Sequence, residues 1–210
     1  MHTDSNLAPG SPFDDGELYD VLCGGIDYDL DFYVGLARTA QGPVLDVCCG
    51  TGRIMLPCLR AGIDIEGLDL FVPMLDRLRS VASTEGFSPK LHVADMSDFR
   101  LERRFAMIMI PFNAFIHNMT ADSQIRCLTL CREHLQPGGL LAFDTFFPSR
   151  DYINQTDGER AFEGETKHPQ TGQTIRMYDT RSFDRVRQIQ HSHNEIEFLD
   201  DTGRVVQVIP

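Results

Sequence analysis

The sequence predicts an α/β fold: a doubly wound, Rossmann-like, mainly parallel sheet with an N-terminal helical cap and a C-terminal antiparallel β excursion. Between residues 43 and 145, short apolar runs alternate repeatedly with helical segments. This alternation is typical of right-handed strand–helix–strand crossovers in an open sheet. After about Phe162 the hydrophobic period changes to two, which is typical of antiparallel strands.

Residues 1–42 are predicted to form a flexible N-terminus followed by the helical cap. Residues 1–15 are polar and contain Pro and Gly, so we expect them to be disordered. Asp14 or Asp15 is placed to cap a short first helix, and Asp27 is placed to cap a second helix over residues 28–40.

The core, residues 43–147, contains five predicted strands, and the continuous apolar run of the first suits a strand buried on both faces of a parallel sheet. These predicted strands are Pro43–Cys49, Ile63–Asp69, Leu91–Ala94, Phe105–Pro111 and Leu140–Thr145. The predicted helices between them are Ile54–Ala61, Pro73–Ala82 and Asp122–Leu135. Residues 137–139, Pro-Gly-Gly, are predicted to be a turn before the fifth strand.

Residues 148–210 are predicted to be an antiparallel segment that covers the substrate or contacts a second copy in a homodimer. Its predicted strands are Gln173–Phe183, Arg187–Leu199 and Arg204–Ile209. Neither face of the middle strand is strongly apolar. We therefore expect this ribbon to be bathed in solvent or covered by a partner.

Charge and composition disfavour several classes of function. The chain has 19 Lys and Arg against 31 Asp and Glu, a formal net charge of −12, and the basic residues form no cluster. Such a surface repels phosphate backbones, so we expect no nucleic-acid partner. No apolar run approaches the about 20 residues of a membrane span, and the N-terminus lacks a signal-peptide pattern. Six cysteines without C-x-x-C spacing indicate reduced thiols and a cytoplasmic location.

A glycine turn follows the first predicted strand, at the sheet edge where open parallel sheets bind ligands. The strand carries Asp46 and ends in a G-x-G turn made by Gly50 and Gly52, which lets backbone approach a ligand closely. A plain tight turn gives the same pattern. The dinucleotide fingerprint needs Gly or Ala where Met55 stands, so a nicotinamide or flavin dinucleotide is disfavoured.

Acidic residues at the ends of the next two strands extend the pattern to that of a nucleoside site. Asp69 ends the second strand, where a carboxylate can accept both hydrogen bonds of a ribose diol; the alternative is a helix N-cap. Asp95 follows the third strand, and with the N–H of Met96 it can recognise an adenine edge. The alternative is that Asp95 caps the turn through Phe99.

In this order, the motifs resemble those of the class I S-adenosylmethionine-dependent methyltransferases, over residues 15–148. The chain looks most like the small-molecule branch, which includes glycine and amino-sugar N-methyltransferases. The segments that carry the resemblance are Val44–Arg53, Gly67–Leu70, Ala94–Met96, Pro111–His117 and His134–Asp144.

The resemblance implies S-adenosyl-L-methionine as cofactor and methyl transfer to a small-molecule acceptor, more often at nitrogen than at oxygen. Asp46 would orient the amino group of the cofactor and Arg53 would face its carboxylate. Tyr19, Tyr28 or Tyr33 of the cap would close over the site. The implied cofactor-binding residues are Asp46, Cys49, Gly50, Gly52, Arg53, Asp69, Leu70, Asp95, Met96, Ile110, Tyr19 and Tyr33.

His117 and Asn113 are the predicted catalytic residues. His117 follows the fourth strand, and its ordinary pKa near neutrality suits a base that deprotonates an amine. Asn113 would orient the substrate. The alternatives are a structural histidine and a turn-forming asparagine. His191 and His193 share a strand face, but without further ligands we predict no metal site.

The sequence departs from the family pattern in two places. Phe71 stands where the family usually has Ser. The family continues into another helix and two more strands, so we expect the chain to be truncated at Pro210 and the fifth strand to be an exposed edge. Alternative functions are a non-catalytic protein or partner subunit that binds S-adenosylmethionine or S-adenosylhomocysteine, and, less favoured, a dinucleotide-dependent reductase.

Overall fold

A computed structural model describes residues 12–209, so residues 1–11 of the predicted disordered start lie outside the described residues. For residues 12–15 the prediction is wrong: Pro12–Asp14 form a 3₁₀ turn, and Asp15 caps the helix that follows. The chain forms two compact units, Phe13–Phe146 and a second from Phe147 onward. The predicted cap helices therefore belong to the same unit as the parallel sheet. Within the described range, no helix combines the length and apolarity that a membrane crossing requires.

The first unit alternates strands and helices as predicted. Its helices are α1 (Gly16–Cys23), α2 (Leu30–Thr39), α3 (Met55–Arg60), α4 (Val72–Thr84) and α5 (Ala121–His134). Its strands are β1 (Val44–Val47), β2 (Ile65–Asp69), β3 (Lys90–Val93), β4 (Phe105–Ile110) and β5 (Leu135–Phe143). A 3₁₀ turn, Ala114–His117, follows β4.

The five strands form one parallel sheet in the order β3-β2-β1-β4-β5. This arrangement confirms the predicted doubly wound fold. In the central strand β1, Asp46 is in register with Gly67 of β2 and Met109 of β4. All residues of β1 and β2 are buried, and apolar clusters cover the two faces of the sheet.

The first predicted helix cap is confirmed and the second is wrong. The Asp15 side chain accepts hydrogen bonds from the N–H groups of Glu17 at 2.9 Å and Leu18 at 3.0 Å. The second helix, α2, begins after Asp29 rather than after Asp27. Asp29 makes no capping bond there, because its carboxylate binds an arginine elsewhere in the unit.

The predicted turn at residues 137–139 lies inside strand β5. Leu135 already pairs with Phe105 of β4, and the register then shifts so that Leu140 pairs with Met107. Gly138, with φ +78°, accommodates this irregularity because glycine adopts a left-handed backbone without a steric penalty. As predicted, β5 lies at an edge of the sheet.

The second unit is a four-stranded antiparallel sheet preceded by a short helix. Its elements are α6 (Arg150–Thr156), β6 (Arg160–Lys167), β7 (Thr174–Asp184), β8 (Ile189–Leu199) and β9 (Val205–Ile209). The sequence analysis missed α6 and β6. Strand β6 has few apolar residues, and ion pairs such as Arg176–Glu165 at 2.8 Å join it to β7.

Burial in this second sheet differs along its length. Ile175, Ile196 and Leu199 are buried, whereas residues 190–194 are exposed. The expectation of a solvent-bathed ribbon is therefore correct for one half and wrong for the other. Apolar and polar residues alternate only weakly in these strands, so the sequence did not indicate that one end of the sheet is apolar and buried.

Gly67 gives a test of the close packing around β2. A Cβ added there would lie 2.7 Å from Cys49 Sγ and 2.8 Å from Met55 Sδ. We expect Gly67→Ala to lower the free energy of unfolding by about 1–3 kcal/mol, the usual effect of overpacking a core. Urea unfolding measures this change.

Gly25→Ala is the matched control, because a Cβ there meets no atom within 4 Å. It should change stability by less than about 0.5 kcal/mol, as substitutions at open surface positions usually do. Equal stability of the two variants would contradict the packing described for Gly67.

Candidate active site

The G-x-G segment after β1 forms a tight left-handed turn. Gly50 has φ +54° and Gly52 has φ +92°, a conformation that L side chains rarely adopt. A Cβ on Gly52 would also come within 2.3 Å of Leu78 Cδ1. Glycine is therefore required at Gly52 both by conformation and by space.

Asp69 joins this turn to the start of helix α4. Its Oδ2 accepts the N–H of Gly50 at 2.8 Å, and its Oδ1 accepts the N–H of Phe71 at 2.9 Å. Burial raises the pKa of Asp69, although these backbone hydrogen bonds act in the opposite direction. A carboxylate oxygen has two lone pairs, so each oxygen retains capacity for a further donor.

Asp46 is a buried carboxyl with an unused hydrogen-bond acceptor. Only 1% of the residue is exposed, and Oδ1 has no hydrogen-bond partner among the described residues. Burial raises its pKa to about 8; Arg53 opposes this rise, while Asp69 and Asp29 add to it. A buried polar atom without a partner destabilises the folded state, so Oδ1 is suited to accept from a ligand.

Arg53 forms an ion pair with Asp29 within the first unit. Its Nη2 donates to Asp29 Oδ2 at 2.7 Å, its Nη1 bonds Asp29 Oδ1, and Nη1 also donates to the carbonyl of Ile26 at 3.1 Å. The guanidinium lies 4.6 Å from the ring centroid of Phe112. Arg53 thus ties the start of α2 to the glycine turn, and its predicted contact with a cofactor carboxylate stays a prediction.

The three cap tyrosines occupy different environments. Tyr33 is buried, and its hydroxyl donates to Asp144 Oδ1 at 2.6 Å. Tyr19, on α1, is partly buried, and desolvation is the largest cause that raises its pKa. Tyr28 is 70% exposed. Of the three, Tyr28 therefore has the side chain most open to solvent.

After β3, the structure supports the alternative role of Asp95 as a turn cap. Its Oδ1 accepts from the backbone N–H of Ser97 at 2.7 Å and from the Ser97 hydroxyl at 2.8 Å. Met96 turns its sulfur toward Asn118 Nδ2 at 3.0 Å and Cys48 Sγ at 3.8 Å. Recognition of adenine by Asp95 and the Met96 backbone stays a prediction.

Leu70, Cys49 and Ile110 complete the predicted cofactor set. The Leu70 side chain is exposed at the end of β2. Cys49 and Ile110 are buried in the two apolar clusters. Ile110 is fully buried, and its predicted contact with the cofactor stays a prediction.

One predicted catalytic residue precedes the 3₁₀ turn after β4, and the other is the last residue of that turn. Asn113 precedes the turn in a left-handed conformation, with φ +58°. His117 ends the turn, and its ring meets Phe13 edge-on, with 6.1 Å between ring centroids. Burial of its ring lowers the pKa of His117, although the charge of Asp69 acts in the opposite direction. The neutral form therefore predominates at neutral pH.

The sequence analysis gave no role to Asp29 or Asp144, which make charged contacts in this region. Asp144 follows β5 just as Asp69 ends β2, so an acidic residue at the end of an apolar strand was the available signal. Asp29 carried only a weak signal, as one of several aspartates before α2. Its partner, Arg53, is distant in sequence.

Comparison with known proteins finds a family match within the first unit. Residues 44–139 match the model of a methyltransferase domain. The dTDP-3-amino-3,4,6-trideoxy-alpha-D-glucopyranose N,N-dimethyltransferase of Streptomyces venezuelae is 29% identical over 141 residues, which are 64% of this chain and 58% of that protein. The dTDP-3-amino-3,6-dideoxy-alpha-D-glucopyranose N,N-dimethyltransferase of Streptomyces fradiae is 27% identical over 155 residues, which are 70% of this chain and 59% of that protein. The match therefore spans less than two thirds of the length of these relatives.

Solved structures share the fold. DesVI of Streptomyces venezuelae has a TM-score of 0.70 and 24% identity, with 90% of this chain and 80% of that chain covered. The CcbJ methyltransferase of Streptomyces caelestis has a TM-score of 0.74 and 23% identity, with 97% and 80% covered. The family match makes residues 44–139 a methyltransferase domain, and together with the shared fold it supports the predicted resemblance to the class I S-adenosylmethionine-dependent methyltransferases.

Proposed function

We propose that this protein transfers a methyl group from S-adenosyl-L-methionine to an amine of a small molecule. The curated relatives named above are both N,N-dimethyltransferases of dTDP-amino sugars, which supports an amino sugar or a similar amine as acceptor. The observation that carries the proposal is the buried carboxyl of Asp46, with its unused acceptor beside the glycine turn.

Asp46 suits the amino group of the cofactor. An ammonium group is a hydrogen-bond donor with positive charge, and Asp46 offers a buried acceptor whose ionisation is disfavoured by its surroundings. A cation bound there would stabilise the ionised carboxylate. The same binding would satisfy the unpaired Oδ1, so both charge and hydrogen bonding favour this assignment.

Asp69, Asp95 and Met96 would hold the nucleoside. Both oxygens of Asp69 are fixed in place by backbone N–H groups, which orients their remaining acceptor positions toward a ribose diol. Asp95 is exposed and has one oxygen held by Ser97. Its other oxygen would accept from an adenine amino group.

His117 is the proposed base and Asn113 the proposed substrate-orienting residue. The bound cofactor supplies an electrophilic methyl group on a sulfonium centre. His117, neutral at neutral pH because of its lowered pKa, would accept a proton from the acceptor amine, so that the nitrogen lone pair becomes available. The Asn113 amide, at the start of the same turn, offers a donor and an acceptor for the substrate.

A cytoplasmic location and a homodimer remain predictions. All six cysteines are free thiols, and four of them are buried, which supports a reducing compartment. The antiparallel sheet remains a candidate for substrate cover or dimer contact.

Cofactor binding is the first test of the proposed function. We expect calorimetry to give micromolar affinity for S-adenosylhomocysteine, and Asp69→Ala to weaken it by about tenfold to hundredfold, as loss of a charged hydrogen bond does. Asp76→Ala removes an exposed carboxylate of α4 and should bind like the wild type. Equal affinity of the two variants would refute the assignment of Asp69 to the ribose.

Turnover tests His117. With a dTDP-3-amino sugar as acceptor, we expect His117→Asn to lower kcat by about 10²-fold or more, as removal of a general base does, with S-adenosylhomocysteine affinity unchanged. The acidic limb of the wild-type kcat/KM profile should have its midpoint below pH 6.5, because the pKa is lowered from that value.

The exposed His193→Asn variant serves as the control for loss of an imidazole. An unchanged kcat in His117→Asn would show that His117 is structural. A wild type that binds the cofactor but methylates none of a panel of amines would favour the non-catalytic alternative.

The pH dependence of stability tests the environment of Asp46. Burial raises its pKa from 3.8 to about 8, so over this range the folded protein keeps a proton that the unfolded chain releases. The contribution of Asp46 to stability therefore falls as pH rises from 3.8 towards 8. Asp46→Asn should flatten this fall in Tm, whereas Asp76→Asn should keep the wild-type slope. A wild-type slope in Asp46→Asn would contradict the raised pKa.

A further inference from the structure

Two consecutive residues after β4 adopt a left-handed backbone. Phe112 has φ +59° and Asn113 has φ +58°. Asparagine tolerates this conformation, but for a bulky aromatic residue it is an outlier that needs support from its surroundings. The segment leads directly into the 3₁₀ turn that ends at His117.

The carboxylate of Asp144 supplies that support. Its Oδ1 accepts the N–H of Phe112 at 2.9 Å, and its Oδ2 accepts the N–H of Asn113 at 2.8 Å. Successive N–H groups in such a conformation form a concave nest for an anion. Here the anion is a side chain of the same unit, from the residue after the neighbouring strand β5.

A third donor fixes the carboxylate itself. The hydroxyl of Tyr33, a residue buried in α2, donates to Asp144 Oδ1 at 2.6 Å. On the other side of the segment, the Arg53 guanidinium packs on the Phe112 ring. Asp144 therefore links helix α2 to the strained segment through hydrogen bonds of ordinary length.

We propose that Asp144 is a positioning residue that holds the segment Phe112–His117 in the geometry the site requires. Asp144 acts through the backbone of Phe112 and Asn113 and through Tyr33. The effect of Asp144 on turnover depends on the proposed roles of Asn113 and His117. Its effect on the order of the segment does not depend on them. The two parts can be measured separately.

Asp144→Asn tests the proposal with little change in size. An amide oxygen can still accept from Phe112 and Tyr33, but the NH₂ group would face the N–H of Asn113, so two donors would oppose each other. Hydrogen exchange followed by mass spectrometry, in the presence of S-adenosylhomocysteine, reports on a peptide covering residues 110–118. Asp76→Asn is the control.

We expect the Asn113 amide to exchange about tenfold faster or more in Asp144→Asn, because its charge-assisted hydrogen bond is lost. The Phe112 amide should exchange faster by a smaller factor, because its acceptor no longer carries a charge. Affinity for S-adenosylhomocysteine should remain that of the wild type. Turnover is measured with a dTDP-3-amino sugar, and kcat is divided by the concentration of sites that bind S-adenosylhomocysteine. This kcat should fall about tenfold to hundredfold, because the catalytic groups are misplaced. The midpoints of the kcat pH profile should not move, since Asp144 acts through the backbone of Phe112 and Asn113 and not on the substrate.

Tyr33→Phe is a second variant that keeps both amide hydrogen bonds and frees Oδ1 from its third donor. Tyr33→Phe should increase the rate of exchange in the same peptide, but by less than Asp144→Asn does. If Asp144→Asn fails to fold, the exchange rate of Tyr33→Phe decides the proposal. Exchange equal to that of Asp76→Asn in the folded variants would overturn the proposal. So would faster exchange with an unchanged kcat.

If the wild type neither binds S-adenosylhomocysteine nor methylates an amine, the proposed function fails. The positioning role is then decided by hydrogen exchange without ligand. A loss of the acidic limb of the pH profile in Asp144→Asn would instead make Asp144 the base and overturn its assignment as a positioning residue.

Discussion

Burial of strand β1 between two parallel neighbours is the constraint from which the site follows. Each residue of β1 is buried, and the strand pairs in parallel with both β2 and β4. Parallel pairing brings the carboxyl ends of all the strands to the same edge of the sheet. The glycine turn, Asp69 and the segment after β4 must therefore leave the sheet side by side, although they are far apart in the chain.

Carboxylates at strand ends stabilise the turns on this edge in a similar way. Asp69 accepts backbone N–H groups from the turn after β1 and from the start of α4. Asp144 accepts two successive N–H groups of the segment after β4. In each case a side chain satisfies backbone donors that the loop cannot pair internally, which lets irregular backbone exist in a partly buried position.

The same edge brings several carboxyl groups close to one guanidinium. Asp46 and Asp69 both have raised pKa values, for which burial is the largest cause, and Arg53 is engaged by Asp29. Ionisable groups this close influence one another strongly because little solvent separates them. A ligand that brings positive charge, such as a sulfonium or an ammonium, would favour the ionised form of these carboxyls, whereas an anionic ligand would disfavour it.

The order of strands and helices in residues 43–145, the glycine turn and the acids that end β2 and follow β3 could all be predicted from the sequence. These features are local: apolar periodicity, glycine at left-handed positions and an acid after an apolar run can each be read within about ten residues, the scale of one strand or helix. The pairing of Arg53 with Asp29 and the contacts of Asp144 with Phe112, Asn113 and Tyr33 are visible only in the folded chain. The same is true of the start of β5 at Leu135 and of Asp46 Oδ1, which has no hydrogen-bond partner within residues 12–209. These contacts join residues that are distant in the chain, and their free energies depend on burial and register, which no local pattern records.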